Sequence, residues 1–345
     1  MAYNEMDDFL CKEEVFVVPT MNDVAKLAGV SRGTVSNYIN GVKVKPDSHK
    51  KVKEAIETLN YVPNIAAREL KSKRSNLVVF ILPNTLTPFF AELVYNMQQE
   101  LKEANFKMLL CNSNNQIDEE LEYIQMAKEQ KVAGVITISY SDLSSLISLD
   151  FPIVSIEYQL DEAIPCVSSD NYAGGRLAAE MLQKKGATKL LLITRRTNKT
   201  QVNYGKRAEG FIDYCKEYHL AYEVFESIQH EEEFYPELSQ FLSEKYTSDC
   251  PFDGIFTVSD QYADFSLSVL NELGYQVPEQ VQLVGFDGGK MYPQQQTFIS
   301  SIRQPIKEIT HYCVETVKKI GTNKSELNND IVRLPVHFIE GKTTK

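Results

Sequence analysis

The chain has 345 residues, 43% hydrophobic and 24% charged, with a net charge of −11 and six cysteines. This length and hydrophobicity give two or three domains with proper cores and exclude a disordered polypeptide. No run approaches the ~20 apolar residues of a membrane span.

The N-terminus, MAYNEMDDFLCKEEVFVVPT, is acidic and lacks the basic-then-apolar order of a secretory signal, so a cytoplasmic location without membrane attachment is expected. Cys11, Cys111, Cys166, Cys215, Cys250 and Cys313 are scattered without a Cys-x-x-Cys pair, and the histidines form no ligand cluster. Isolated buried thiols are therefore expected, with neither disulfide frame nor metal site. GGR at 174–176 is not G-x-G-x-x-G, and no P-loop, G-x-S-x-G or H-E-x-x-H occurs. Neither an enzymatic reaction nor a cofactor is expected.

Charge is segregated. Residues 21–75 hold eleven Lys/Arg against five Asp/Glu, so the rest of the chain carries the whole acidic excess. A compact basic segment ahead of an acidic body is the layout of a nucleic-acid-binding head on a regulator. Within it, MNDVAKLA places Val24, Leu27 and Ala28 on one helical stripe, with Asn22 or Thr20 as cap and Gly29 as stop. Ser31 caps a second helix, with Val35 and Ile39 turned inward, and Gly41 ends it. A third helix starts near Asp47 and Ser48, after Pro46, with a stripe of Val52, Ala55, Ile56 and Leu59. Two short helices around a tight turn make a helix-turn-helix, whose second helix enters the major groove.

The run MNDVAKLAGVSRGTVSNYING followed by LNYVPNIAARELKSKRS resembles the start of a LacI/GalR-family transcription regulator. NTLTPFFAELVYNMQQELKEANF, KVAGVI, SSDNYAGGRLAAEML, GKRAEGF, PFDGIFTVSD, VPEQVQLVGFDG and ISSIRQP continue the resemblance in the family's order to the end of the chain. It implies that Arg32, Gly33 and Asn37 touch base edges, while Thr34 and Ser36 lie near phosphates. Arg32 can grip guanine O6/N7, and Asn37 can bond adenine N6/N7. Most family members have Arg where Asn37 stands, so an operator base different from the common half-site is expected. Gly33, a second departure, weakens its helix by ~0.5–1 kcal/mol relative to Ala.

Residues 64–71, NIAARELK, form about two helical turns, far short of the ~12–15 residues that stand alone in water. The resemblance makes them a hinge helix that pairs with its twin in the minor groove. Asn64 caps it, Ala67 faces DNA, Leu70 wedges a base step, and Lys71, Lys73 and Arg74 hold phosphates. Binding to double-stranded operator DNA then requires a homodimer.

From Asn76 onward, strand-like runs (77–82, 107–111, 132–138, 153–156, 189–194, 254–258, 282–286) alternate with helical stripes (89–104, 119–130, 173–184, 206–218, 263–273). This argues for parallel sheets covered by helices, and about ten strands suggest two lobes. The expected fold class is an N-terminal all-α helix-turn-helix head joined by a hinge helix to an α/β, periplasmic-binding-protein-like core of two doubly wound lobes. Its divisions are an extension at 1–20, a head at 21–63, a hinge at 64–75 and an effector-binding and dimerisation domain at 76–345. The resemblance implies crossings between lobes near 168–170, near 300–304 and near Asn329, with ligand at the carboxyl ends of the strands.

A polyol calls for carboxylates, an Arg and an aromatic plate. The family positions that match are Phe89, Phe90, Asp170, Asn203, Arg207, Ser259, Asp260 and Asp287. Arg207 and Asp287 stand out, while Asp170 is also a good N-cap. The chain has no Trp, so Tyr204, Phe234 or Tyr292 would have to stack on a sugar. The basic tract RRTNKTQVNYGKR, 195–207, either meets a phosphorylated sugar or is a solvated loop.

The expected function is a transcriptional repressor of carbohydrate-utilisation genes whose operator affinity a sugar or sugar phosphate changes allosterically. A catabolite-control regulator that answers to a phosphorylated carrier protein is the alternative, and a cytosolic solute-binding protein is a weaker one. The tail lacks a leucine heptad, which favours a dimer over a tetramer.

Overall fold

A computed structural model describes residues 19–62, 75–141, 143, 146, 151–196, 203–229, 231–247, 250–322 and 331–345, without the side chains of 203, 204, 231, 321 and 322. The predicted hinge helix, with Asn64, Ala67, Leu70 and Lys71, lies outside these residues, as do Lys73 and Arg74. The chain divides into two compact units at Lys73/Arg74.

The first unit holds α1 (Met21–Ala28), α2 (Arg32–Ile39) and α3 (Pro46–Thr58). Thr20 caps α1 in a reciprocal box: its hydroxyl accepts from the Asp23 amide, and Asp23 Oδ2 accepts from the Thr20 amide at 2.8 Å. Gly29 ends α1 with φ 63°, which a Cβ would resist. Ser31 Oγ accepts from the Thr34 amide and starts α2. Val24, Ala25, Ala28, Val35, Val52, Ala55 and Tyr61 form the core.

One expectation fails here. Leu27 is 52% exposed, and Ala25 is buried in its place. At ~100° per residue the two flank the Val24–Ala28 line about equally, so helical period alone does not choose between them. The packing of α2 and α3 does.

The second unit contains two six-stranded sheets. In the first lobe, β1 (Leu77–Leu82), β2 (Lys107–Asn112), β3 (Gly134–Thr137), β4 (Ile153–Ile156), β5 (Cys166–Ser169) and β11 (Ile331–Leu334) pair in the order β11-β5-β4-β3-β1-β2, all parallel. The helices α4 (Pro88–Glu103), α5 (Ile117–Glu129) and α10 (Ile306–Thr322) cover it. In the second lobe, β6 (Lys189–Arg195), β7 (Ala221–Ser227), β8 (Gly254–Thr257), β9 (Gln282–Asp287), β10 (Ser300–Arg303) and β12 (His337–Ile339) run β12-β10-β9-β8-β6-β7. Only β12 is antiparallel to its neighbour there. Around that sheet lie α6 (Asn171–Lys184), α7 (Asn203–Glu217), α8 (Glu231–Lys245) and α9 (Asp260–Glu272).

The inner strands β3, β4 and β8 are buried at every position, as strands covered on both faces must be. The chain passes between lobes after β5, after β10 and between β11 and β12. The third crossing therefore falls at 334–337 rather than near Asn329, because β11 still pairs with β5 through Leu334. Cys111, Cys166, Cys215 and Cys313 are buried free thiols, whereas Cys250 is exposed. Burial pushes the Cys166 and Cys215 thiols up to about 12. No helix among the described residues is long and apolar enough to cross a membrane.

Candidate functional site

In the head, Val35 is buried while Arg32, Gly33 and Asn37 lie exposed, with Thr34 and Ser36 half-buried at the edges. Tyr38 meets His49 edge-on at 4.7 Å and locks α2 onto α3. Gly33 and Asn37 thus share the face opposite the core, the side that a recognition helix lays on bases, while Arg32 is exposed at the first residue of the helix. A Cβ on Gly33 would meet only Ser31 Oγ, at 3.7 Å, so the packing of the head does not require glycine there.

In the body, the carboxyl ends of both sheets meet around Arg207, at the start of the second turn of α7 and almost fully buried. Its Nε donates to Asn171 Oδ1 at 2.6 Å, and its Nη1 donates to the Val258 carbonyl at 2.7 Å and to Asp287 Oδ1 at 3.3 Å. The guanidinium carbon lies 3.6 Å over the Phe286 ring. Asn171 Nδ2 donates to Glu157 Oε2 at 2.7 Å, and Glu157 Oε1 accepts from the Ser169 amide at 2.7 Å. Gln304 Nε2 donates to Asp287 Oδ1, and Gln304 Oε1 accepts from Ser169 Oγ, both at 2.7 Å. Glu157 and Ser169 belong to the first lobe, Arg207 and Asp287 to the second, and Asn171 and Gln304 to two of the crossings.

Asp260, at the start of α9, sits behind this group. Its Oδ1 accepts from Ser301 Oγ at 2.6 Å and its Oδ2 from the Gly288 amide at 2.7 Å. Burial raises its carboxyl well above the usual range, and the Asp287 charge adds to the rise. Burial likewise raises Asp287 to about 6, although Arg207 and Gln304 pull it down. Glu157 and Asp287 take positive φ, 64° and 111°, values that non-glycine residues rarely adopt. Such strain concentrates at ligand clamps and switch regions.

A second link joins the lobes. Arg303 forks onto Glu92 of α4, at 3.1 Å and 2.6 Å, and the Lys290 amide donates to Glu92 Oε2 at 2.8 Å.

Two family descriptions match this architecture: "Bacterial regulatory proteins, lacI family" over residues 20–64, and "Periplasmic binding proteins and sugar binding domain of LacI family" over residues 75–320. The chain belongs to the LacI family. Its members are DNA-binding regulators and not enzymes. The sucrose operon repressor of Streptococcus mutans is 33% identical over 95% of this chain and 100% of its own length. A LacI-type regulator from Alkaliphilus metalliredigens, solved with D-xylulofuranose, is 26% identical, with a TM-score of 0.67 over 79% of this chain and 100% of that one. A lac repressor dimer solved on operator DNA reaches a TM-score of 0.79 at 18% identity, over 94% of this chain and 98% of that one, a likeness of fold.

Of the predicted effector residues, the structure brings together Arg207, Asp260 and Asp287. Asp170 instead caps α6, its Oδ1 accepting from the Ala173 amide at 3.0 Å, and Ser259 caps α9 in the same way at 3.3 Å. Phe89 and Phe90 are buried in the core of the first lobe. Phe234 is wholly buried in the second lobe, and Tyr292 is exposed on a loop. The side chains of Asn203 and Tyr204 lie outside the described residues. In the basic tract, Arg196 pairs with Glu226 and Lys206 with Glu209, while 197–202 lie outside the described residues.

Sequence reasoning missed Glu157, Asn171, Gln304 and Phe286. The signal was present for Asn171, which adjoins the predicted crossing at 168–170, for Gln304, which ends the predicted crossing at 300–304, and for Phe286, which adjoins Asp287. Nothing local marks Glu157.

Proposed function

We propose that this protein is a dimeric cytoplasmic repressor of carbohydrate-utilisation genes, released from or locked onto its operator by a sugar held between the lobes. The observation that carries the reading is the Arg207–Asn171–Glu157 chain, which ties together residues of two lobes in a polypeptide that also carries a helix-turn-helix head. A ligand that bonds Arg207 and Asp287 changes the balance between lobe arrangements, and the hinge passes that change to the paired heads. On the DNA side, Arg32, Gly33 and Asn37 read bases, Thr34 and Ser36 approach phosphates, and Asn64, Ala67, Leu70 and Lys71 form the minor-groove hinge. The sucrose operon named for the Streptococcus relative and the xylulofuranose in the Alkaliphilus structure support a sugar as effector.

The test selects sites from a random duplex pool with full-length protein, then measures affinity for the selected site with and without sucrose, ribose, fructose and glucose. A pseudo-palindromic site is expected, with affinity changed ~5- to 150-fold by one sugar. Selection of no site at low ionic strength overturns the DNA-binding reading. A selected site indifferent to every sugar overturns the allosteric one.

A further inference from the structure

The link between Glu92 and Arg303 stands apart from the network around Arg207. Neither residue is among those expected to touch a ligand. Glu92 projects from α4 of the first lobe and turns both carboxylate oxygens to the second. Its Oε1 accepts from Arg303 Nη2 at 2.6 Å, and its Oε2 accepts from Arg303 Nη1 at 3.1 Å and from the Lys290 amide at 2.8 Å. Arg303 is the last residue of β10, and its Nη1 also donates to the Gly288 carbonyl, which aims the fork from within its own lobe. A bidentate guanidinium–carboxylate pair is the strong form of ion pair, and this one is only 18% and 16% exposed. Removing one partner leaves the other charge half-buried and unmatched, which disfavours the arrangement that brings them together.

The backbones touch at the same place. A Cβ on Gly289 would fall on the Phe89 amide nitrogen, with Phe89 Cα and the Pro88 carbonyl carbon each at 2.7 Å, inside the 3.0 Å that real Cβ atoms keep. All three atoms belong to the backbone of α4's first turn, so no side chain can swing aside. Gly289 does not take positive φ, so the close approach, rather than its dihedrals, calls for glycine. Fork and contact join the same two segments, the start of α4 and the loop at 288–290. Separating those segments breaks both.

We propose that Glu92, Arg303 and Gly289 form a latch that holds the two lobes in this arrangement without touching the ligand, and that its strength sets how much sugar is needed to switch the repressor. The second part rests on the reading that a sugar held between the lobes favours this arrangement. The latch then adds to the ligand's own preference, and a weaker latch demands more ligand for the same population.

The experiment has a sugar-free arm and a sugar arm, both on the full-length protein. Small-angle scattering without sugar compares wild type with Glu92→Gln, which breaks the fork, and Gly289→Ala, which wedges the backbones. Glu103→Gln is the control, because its carboxylate is exposed about three turns further along α4. Circular dichroism checks that each variant is folded, and Glu92→Gln carries the test alone if Gly289→Ala is not. The two latch variants should shift the scattering in the same sense, towards longer interatomic distances, and the control should not. In operator titrations with a sugar that acts on wild type, the sugar midpoint should rise at least ~5-fold in both, since losing a charge-assisted bond shifts a two-state equilibrium roughly ten-fold or more. At saturating sugar their operator affinity should return to within about twofold of wild type. Scattering unchanged in the folded latch variants overturns the latch. A shifted scattering curve with an unmoved midpoint overturns its part in regulation. A shifted curve where no sugar acts on wild type upholds the latch and overturns the sugar reading instead.

Discussion

The backbone contact between α6 and α7 provides a direct test of what aims Arg207. A Cβ built on Gly210 would fall on Tyr172 O, about 1 Å inside the 3.0 Å that real Cβ atoms keep, with Tyr172 C at 3.0 Å and Arg176 N at 3.1 Å. Backbone atoms cannot rotate away as a side chain can, so the helices must part by about that distance. The Arg207 Nε–Asn171 Oδ1 bond, now 2.6 Å, spans the same two helices, one turn from Gly210. Stretched by ~1 Å, it leaves hydrogen-bond range. Overpacking costs ~1–3 kcal/mol and a lost charge-assisted bond ~1.5–3 kcal/mol, so Gly210→Ala should destabilise the body by ~3–5 kcal/mol. It should also weaken sugar binding by ~10-fold or more. Gly205→Ala on the same helix is the control, since nothing lies within 4 Å of its Cβ and Ala suits a helix better by ~0.5–1 kcal/mol. Urea midpoints and sugar titrations of the two variants decide the matter. If they behave alike, the close approach does not position Arg207.

Three further outcomes are expected. Asp287 has a folded pKa of about 6 against an ordinary 3.8, so its proton stabilises the native state. That stabilisation is complete below pH ~4 and is lost as pH rises through about 6; it amounts to about 3 kcal/mol. The fall in urea stability from pH 5 to pH 8 should therefore flatten in Asp287→Asn, and an equal fall in both proteins removes Asp287 as the titrating group. Asn37→Arg should shift one half-site position toward guanine by ~1–3 kcal/mol, read as a changed selection profile; an unchanged profile takes Asn37 out of the reading set. Glu92→Gln and Arg303→Gln should each cost ~1–3 kcal/mol, with a coupling of at least ~0.5 kcal/mol in the double mutant, because the pair bridges the lobes with side chains only 16% and 18% exposed. Strict additivity would show that the pair contributes nothing as a pair.

The head was legible because its determinants are local: a cap at Thr20, another at Ser31 and a left-handed Gly29 lie within a few residues of what they fix. The buried parallel strands were legible as apolar runs. The helix at 306–322 was not, since β-branched residues give it a strand-like composition, although Ile306, Ile309, Cys313, Val317 and Ile320 mark a buried helical stripe. At 231–245, Pro236 obscures the helix. Phe89 and Phe90 carry two readings in the sequence, cleft and core, and their stripe with Leu93, Met97 and Leu101 is the signal for the core packing observed. The network was half legible. Arg207 and Asp287 stand 80 positions apart, and Ser169 and Gln304 stand 135 apart. The whole ordered motif set brought the first pair together; the second pair falls within the expected crossings at 168–170 and 300–304, but nothing local gave its side chains a role.

Two strand-to-helix junctions show how that network is aimed. Between β5 and α6 the chain reads Asp170-Asn171, and between β8 and α9 it reads Ser259-Asp260. The first residue of each pair caps the helix and so fixes the rotation of its first turn. The second residue then reaches across the strand ends, Asn171 to Arg207 and Glu157, Asp260 to Ser301 and Gly288. A helix N-terminus favours a carboxylate at Asp260, yet the net pull on its proton is upward, so burial outweighs the dipole there. Asn171 donates from its amide nitrogen to Glu157 of the first lobe and accepts at its amide oxygen from Arg207 of the second, so its side chain bridges the two. Allosteric coupling of ~1–3 kcal/mol is the worth of one or two such hydrogen bonds. Under the proposed function, a ligand that exchanges the Arg207 end of this chain for its own contacts is expected to shift the balance between lobe arrangements by an amount in that range.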